Sequence, residues 1–165
     1  TPFLLELLKS AKARGIHCGV ETNGSMPFER MEQALPFVDV WMIDLKAFDD
    51  EIHKDFTGIS NGTIMKNLRE LDRHGAKIIL RTPVVPGVND AADELEKIVK
   101  FAAGLKNLAY YEVLPYHPLG LSKQVEDTDF IKKFETPDKP ALKAMLGPIV
   151  EKYQIPFRFA NIKMS

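Results

Sequence analysis

Two rhythms of apolar and polar positions run along this chain. Phe3, Leu4, Leu7, Leu8 and Ala11 recur three or four residues apart, the spacing of one face of a helix. Thr1 can cap that helix, Pro2 suits its first turn and Gly15 can end it. The next apolar run, IHCGVETNG (16–24), is too short for a helix and reads as a strand entering a loop. PFERMEQALPF (27–37) is a short helix, and VDVWMIDLK (38–46) is a second strand. After a polar segment, Ile64, Leu68 and Leu71 mark a helix over 61–73, stopped by Gly75. AKIILRTPVVPG (76–87) is a third strand. Asp90, with Asp93 three residues on, approximates a capping box for a helix striped by Leu95, Ile98, Val99 and Ala102. LAYYEVLPYH (108–117) is a fourth strand, and 118–137 is irregular and polar. Leu142, Met145, Ile149 and Tyr153 predict a helix over 138–153, and PFRFANI (156–162) a last short strand.

Helices and strands alternate, and the strands are apolar almost throughout. That pattern predicts an α/β fold, a parallel sheet covered by helices, built as one domain over 1–165. Composition agrees with a globular domain: 165 residues, 45% hydrophobic, 27% charged, net charge −1. Near-neutrality disfavours a nucleic-acid or membrane partner held by bulk electrostatics. No run is long enough to span a bilayer and the start does not read as a secretory leader, so a cytoplasmic location is expected. Cys18 is the sole cysteine; alone it makes no disulfide and holds no cluster, and it reads as a small core residue. The chain starts at Thr1 rather than Met, which points to residues upstream.

The chemistry lies where the strands end. Their apolar runs give way to Glu21-Thr22-Asn23-Gly24, to Asp44-Leu45-Lys46, to Arg81-Thr82-Pro83 and to Pro115-Tyr116-His117. Ligands of α/β sheets and barrels sit at the carboxyl ends of strands, so these residues predict one shared site. Asp44 and Lys46 are two apart and would share a strand face. Lys46 and Arg81 suit a carboxylate, Asp44 a diol; the oxygens of Glu21, Thr22 and Asp44 suit a small hard cation. Bland readings compete with these. Asp44 and Lys46 would contribute 0–1 kcal/mol, in order of magnitude, as a surface pair; Arg81 would cover a helix end; His117 would be an idle loop histidine. His17 and His74 read as packing or capping groups, His53 as part of a solvated helical turn, and Trp41 and Met42 as core.

ETNG (21–24), IDLK (43–46), HKDFTGISN (53–61), RTPVVPGVND (81–90) and LPYHPLG (114–120) together carry a resemblance. The chain resembles the glycyl-radical-enzyme activating enzymes of the radical S-adenosylmethionine superfamily, with the activators of pyruvate formate-lyase as the nearest branch. The resemblance covers residues 1 to about 123. It implies a partial (β/α)6 barrel of TIM type, here without the first strands. It also implies a 4Fe–4S cluster held by three cysteines of a CxxxCxxC loop. S-adenosylmethionine would be cleaved reductively on that cluster to abstract hydrogen from a glycine of the partner, pyruvate formate-lyase in the first instance. An electron donor such as flavodoxin or ferredoxin is implied with it.

By the same resemblance, Asp44, Lys46 and His117 contact S-adenosylmethionine and Arg81 lies beside it. Glu21, Thr22, Met42 and Asp44 line a monovalent-cation site; some members carry Asp at the position of Glu21. CxxxCxxC and GGE are absent from these 165 residues, and Cys18 matches no cluster ligand, so the chain alone is expected to be inactive. The strand at 16–21 would be an open edge, inviting self-association. Two other classes stay open: a barrel lyase or aldolase using Lys46 as a Schiff-base nucleophile, and a non-catalytic domain binding a nucleotide-like ligand or a protein.

Overall fold

The computed structural model describes residues 2–117, 134–160 and 162–163. In chain order the elements are α1 (Pro2–Ala13), β1 (Gly19–Thr22), α2 (Phe28–Glu32), β2 (Val40–Asp44), α3 (Asp50–Thr57), α4 (Gly62–Arg73), β3 (Ile78–Val84), α5 (Ala92–Ala103), β4 (Leu108–Pro115), α6 (Lys139–Tyr153), β5 (Phe157–Phe159) and β6 (Ile162–Lys163), with a 3-10 turn at Leu35–Phe37 between α2 and β2. The strands form one sheet in the order β1-β2-β3-β4-β5-β6. The first five are mutually parallel, and β6 pairs antiparallel with β5. This is the parallel α/β sheet expected from the alternation, with β1 as its outer strand.

One face of the sheet packs against helices. Trp41, Ile43, Ile78, Leu80, Tyr111 and Val113 meet Ile64, Leu68 and Leu71 of α4 and Leu95, Ile98 and Val99 of α5. Burying each such aliphatic side chain contributes roughly 1.5–3 kcal/mol, so the helix-facing side supplies most of the stability. Residues of opposite parity, among them Met42, Asp44, Ile79 and Arg81, lie on the other face.

Several local expectations change. The stripe of α1 is rotated: Phe3 and Leu7 are 76% and 53% exposed, while Leu8 is buried and Leu4, Leu5 and Ala11 pack beside it. The cap assigned to Thr1 lies outside the described residues, as does most of the irregular stretch, 118–133. The polar segment after the second strand holds a further helix, α3, capped by Asp49, whose side chain accepts from the Glu51 and Ile52 N–H groups. Asp90 does not cap α5; its carboxylate accepts from Gly87 N–H (3.0 Å), and Ala91 occupies the cap position. In α6 the buried residues are Leu142 and Leu146, with Met145, Ile149 and Tyr153 only partly covered. No helix among the described residues is long and apolar enough to cross a membrane.

Candidate functional site

Because β1 to β4 are parallel neighbours, their carboxyl ends share one pole of the sheet. Glu21 and Thr22 close β1, Asp44 closes β2, Lys46 follows it by two residues, Arg81 lies in β3, and His117 follows the end of β4 by two. Asp44 sits opposite Arg81 in the β2–β3 ladder, and Glu21 opposite Met42 in β1–β2.

Arg81 joins three strands. Its Nη2 donates to Glu21 Oε1 (2.5 Å) and its Nη1 to Glu21 Oε2 (3.2 Å), the fork that matches a carboxylate. Its Nε donates to Asp44 Oδ1 (3.1 Å). The Arg81 side chain is 14% exposed. Burial works against its charge, but Glu21 and Asp44 outweigh burial and push the guanidinium pKa up. This changes the anticipated division of labour. The fork expected to hold a ligand carboxylate is occupied by Glu21, and the two acidic groups expected around a small cation converge on Arg81. Thr22 Oγ1 accepts from Gly24 N–H (3.2 Å) and shapes the loop. Among the described residues no cluster of three or more His, Cys, Asp or Glu side chains could hold a metal ion.

Lys46 does not pair with Asp44. The strand ends at Asp44, although Leu45 N–H still donates to Arg81 O (2.9 Å), so Lys46 leaves the sheet with an exposed side chain. Such an ammonium lacks the desolvation that makes a Schiff-base lysine nucleophilic, which counts against the lyase reading. His117 is exposed at the same pole; the residue before it is tied to β3 by Tyr116 N–H donating to Val84 O (2.9 Å). The charges also extend beyond the predicted set. Asp44, Arg81, Glu112 and Arg158 stand in register across β2 to β5, alternating in sign. The Arg158 guanidinium lies 3.9 Å from the centre of the Tyr110 ring.

Side chains from neighbouring elements hold the rim in place. Every carbonyl from Leu45 to Phe48 accepts a side-chain donor: Thr82 Oγ1 to Leu45 O (2.9 Å), Asn89 Nδ2 to Lys46 O (2.5 Å), and Asn61 Nδ2 to Ala47 O (3.0 Å) and Phe48 O (2.7 Å). Buried Glu94 accepts from the N–H groups of Phe48 and of Asp49 (3.0 Å). Asn67 does the same for the first loop, donating to Gly24 O (2.8 Å) and Met26 O (2.7 Å). Gly24 has φ +66°, and a Cβ there would stand 3.1 Å from Ile43, so that turn requires glycine.

The other singled-out residues fall as follows. His53 is not solvated; it is 1% exposed within α3. His74 caps α4, its Nδ1 on Glu70 O (2.8 Å), and packs on Phe28. His17 is exposed before β1. Trp41 is core. Cys18 is buried and precedes β1, at the pole opposite Asp44 and Lys46. One thiol at the wrong end of the sheet does not fit an iron–sulfur cluster, and no other cysteine exists in these 165 residues.

The sequence profile of the radical SAM superfamily matches residues 1–102. Over 123 residues the chain is 42% identical to the isethionate sulfite-lyase activating enzyme of Oleidesulfovibrio alaskensis, which covers 73% of this chain and 39% of that protein. It is 32% identical over 158 residues to the pyruvate formate-lyase 1-activating enzyme of Escherichia coli, covering 92% of this chain and 63% of that one. The chain thus spans about two-fifths to three-fifths of the length of these relatives. Among solved structures, a domain of the pyruvate-formate lyase-activating enzyme of Bacteroides vulgatus superposes with a TM-score of 0.80 at 24% identity, over 96% of this chain and 89% of that one, a likeness of fold.

Proposed function

The chain belongs to the radical SAM superfamily, and from that premise we propose that it forms part of a cytoplasmic activating enzyme for a glycyl radical enzyme. In this reading the strand-end rim binds S-adenosylmethionine. Asp44, with one carboxylate oxygen on Arg81, accepts from the ligand's hydroxyls or amino group. Lys46 supplies a mobile positive charge for its carboxylate, and His117 a ring or a hydrogen bond from the far side. Arg81 holds the Glu21 and Asp44 carboxylates in place. Bound S-adenosylmethionine, with a 4Fe–4S cluster, would supply radical chemistry; the cluster's ligands are not among these residues, so the 165 residues alone cleave no S-adenosylmethionine. The cation site of Glu21, Thr22, Met42 and Asp44 belongs to the same proposal, with Arg81 as its competitor.

The observation that carries the reading is the convergence of Asp44, Lys46 and His117 on one pole of a parallel sheet. Relatives are named for several targets, isethionate sulfite-lyase and pyruvate formate-lyase among them. Pyruvate formate-lyase is the target to try first, with isethionate sulfite-lyase beside it and a flavodoxin or ferredoxin as electron donor. Any self-association would run through the edge of β1, where Gly19 and Glu21 are exposed.

Calorimetry with S-adenosylmethionine on a complete enzyme that contains these 165 residues and carries the cluster tests the site. Lys46→Ala removes a charge-assisted contact, on the order of 1.5–3 kcal/mol, and weakens binding by more than about tenfold. Unchanged affinity ends the role given to Lys46.

A further inference from the structure

A groove of about 620 Å³ lies between α4 and α5, and none of its lining residues belongs to the strand-end rim. Its floor is apolar. The rings of Phe48 and Phe101 meet edge-on with centres 6.4 Å apart, and Leu105, 8% exposed, completes the surface. Its walls carry Arg69, Lys97 and Lys100, all three exposed residues. On a chain of net charge −1, this local excess of cations does not follow from a basic composition.

The cations differ in what holds them. Lys97 is engaged, by Asp93 (3.2 Å) and by Glu94 (3.7 Å). Among the described residues, no carboxylate stands within ion-pair distance of Arg69 or of Lys100. The Arg69 guanidinium lies 5.1 Å from the centre of the Phe101 ring, which leaves its N–H donors without an acceptor. Glu96, one turn before Lys100, is taken by Lys152 (2.6 Å) and by the Tyr153 hydroxyl (3.1 Å). The one acidic residue of the groove, Asp72, spends its Oδ1 on Asn107 N–H (2.7 Å) and Asn107 Nδ2 (3.1 Å). The groove therefore offers an apolar floor and two uncommitted positive charges, and its single carboxylate already has donors.

Charge and shape narrow the occupant. Pockets that enclose a small molecule cover most of its surface, whereas here Arg69, Lys97, Lys100 and Gly104 all lie open to solvent. An apolar strip rimmed by charge, with aromatic and arginine side chains, is the make-up of a protein-docking surface. From Lys97 to Gly104 the helix rises roughly 10 Å, the length of a few residues of a docked segment. We propose that the α4–α5 groove docks an acidic segment of a protein partner, which seats an aliphatic or aromatic side chain on Phe48, Phe101 and Leu105 while its carboxylates meet Arg69 and Lys100. This surface stands apart from the S-adenosylmethionine reading and does not need it.

The test is an NMR titration of the isotopically labelled protein with three peptides: Asp-Glu-Phe-Leu-Glu-Asp, its amide counterpart Asn-Gln-Phe-Leu-Gln-Asn, and Asp-Glu-Ala-Ala-Glu-Asp. The first is expected to shift resonances of Phe48, Phe101 and Leu105. At low salt it binds roughly two- to thirtyfold more tightly than the amide peptide, the range for two exposed ion pairs, and the advantage fades at high salt. Loss of the Phe-Leu anchor weakens binding by about tenfold or more. Arg69→Gln and Lys100→Gln each reduce the preference for the acidic peptide and together abolish it, whereas Lys9→Gln on α1, outside the groove, leaves it unchanged. Equal affinities for the acidic and amide peptides, or no shift of the groove resonances at millimolar peptide, overturn the proposal on the unaltered protein alone. Phenyl phosphate binding more tightly than the acidic peptide makes the groove a small-anion site and overturns it too. So does a dimer in sedimentation whose formation shifts the same resonances without peptide, since a second copy then fills the groove.

Discussion

Asn89→Ala tests whether the position of Lys46 depends on a residue 43 places away. Asn89 is 3% exposed. Its Nδ2 donates to Lys46 O (2.5 Å) and Pro83 O (2.8 Å), and its Oδ1 accepts from Val85 N–H (2.7 Å). Alanine deletes all three bonds and strands two carbonyls and one N–H in a mostly dry setting. At about 1 kcal/mol net for each bond the loss is roughly 3 kcal/mol, a large part of the ~5–15 kcal/mol that holds a domain folded. For a domain of this size that corresponds to a melting temperature lower by roughly 6–12 °C. Trp41, the only tryptophan and 3% exposed, reports unfolding by fluorescence. Asn89→Asp sharpens the test. The new carboxylate would face two carbonyl oxygens, which raises its folded pKa above the ~3.9 of the unfolded chain. The folded state then binds the extra proton, so the penalty is small below that value and grows as pH rises through and beyond it. A melting temperature within about 2 °C of the unaltered protein for Asn89→Ala, or a pH-independent penalty for Asn89→Asp, would refute the view that this side chain pins the rim.

Two other titratable groups give expectations of their own. The hydroxyl of Tyr111 is fully buried, and burial, opposed by the neighbouring Thr82, pushes its pKa up; the folded state keeps the proton while the unfolded chain loses it near 10, so stability falls as pH rises beyond that point, and Tyr111→Phe, costing about 1 kcal/mol at neutral pH, should flatten this alkaline limb in pH-dependent urea melts. Asp50 accepts from Ser60 Oγ (2.7 Å) and Asn61 N–H (2.9 Å) and pairs with Lys54 (2.6 Å), and these contacts, Lys54 first, lower its pKa to about 2; the ordering of residues 58–61 that it provides is present above the unfolded pKa and lost as pH falls toward 2, which carboxyl-detected NMR would show as a titration well below that of Asp50 in a denatured sample.

The sheet was readable because each strand is a short apolar run bracketed by helical stripes. Leu95, Ile98, Val99 and Ala102 all face the core as their spacing requires. The stripe of α1 was misread because Phe3 and Leu7 share a periodicity with Leu4 and Leu8, and apolar character alone does not say which of two adjacent columns is buried. The polar strand ends were legible because a charge closing an apolar strand has few structural uses. Partnerships were not legible. That Glu21 would seize the fork of Arg81 depends on register between strands 60 residues apart in sequence, and register appears only when the sheet is assembled. His53 was misjudged because Lys54 and Asp55 directly after it made its turn look wet, whereas the helix turns the ring inward. The roles of Asn61, Asn67 and Asn89 were not legible at all: a buried amide that satisfies distant carbonyls has no periodic signature.

The fastening of the 45–49 segment has a consequence for the order of events during synthesis. Its nearest clamp, Asn61, follows within a few turns of chain, but Thr82, Asn89 and Glu94 emerge much later, the last about 46 residues behind Phe48. Until α5 has formed, the peptide around Lys46 has no fixed course, however well β1 and β2 have paired. Contacts of such long sequence separation close late. The rim should therefore be among the last parts of this chain to mature, and a nascent chain cut short before residue 89 would carry Asp44, Lys46 and Arg81 without the geometry that makes them useful.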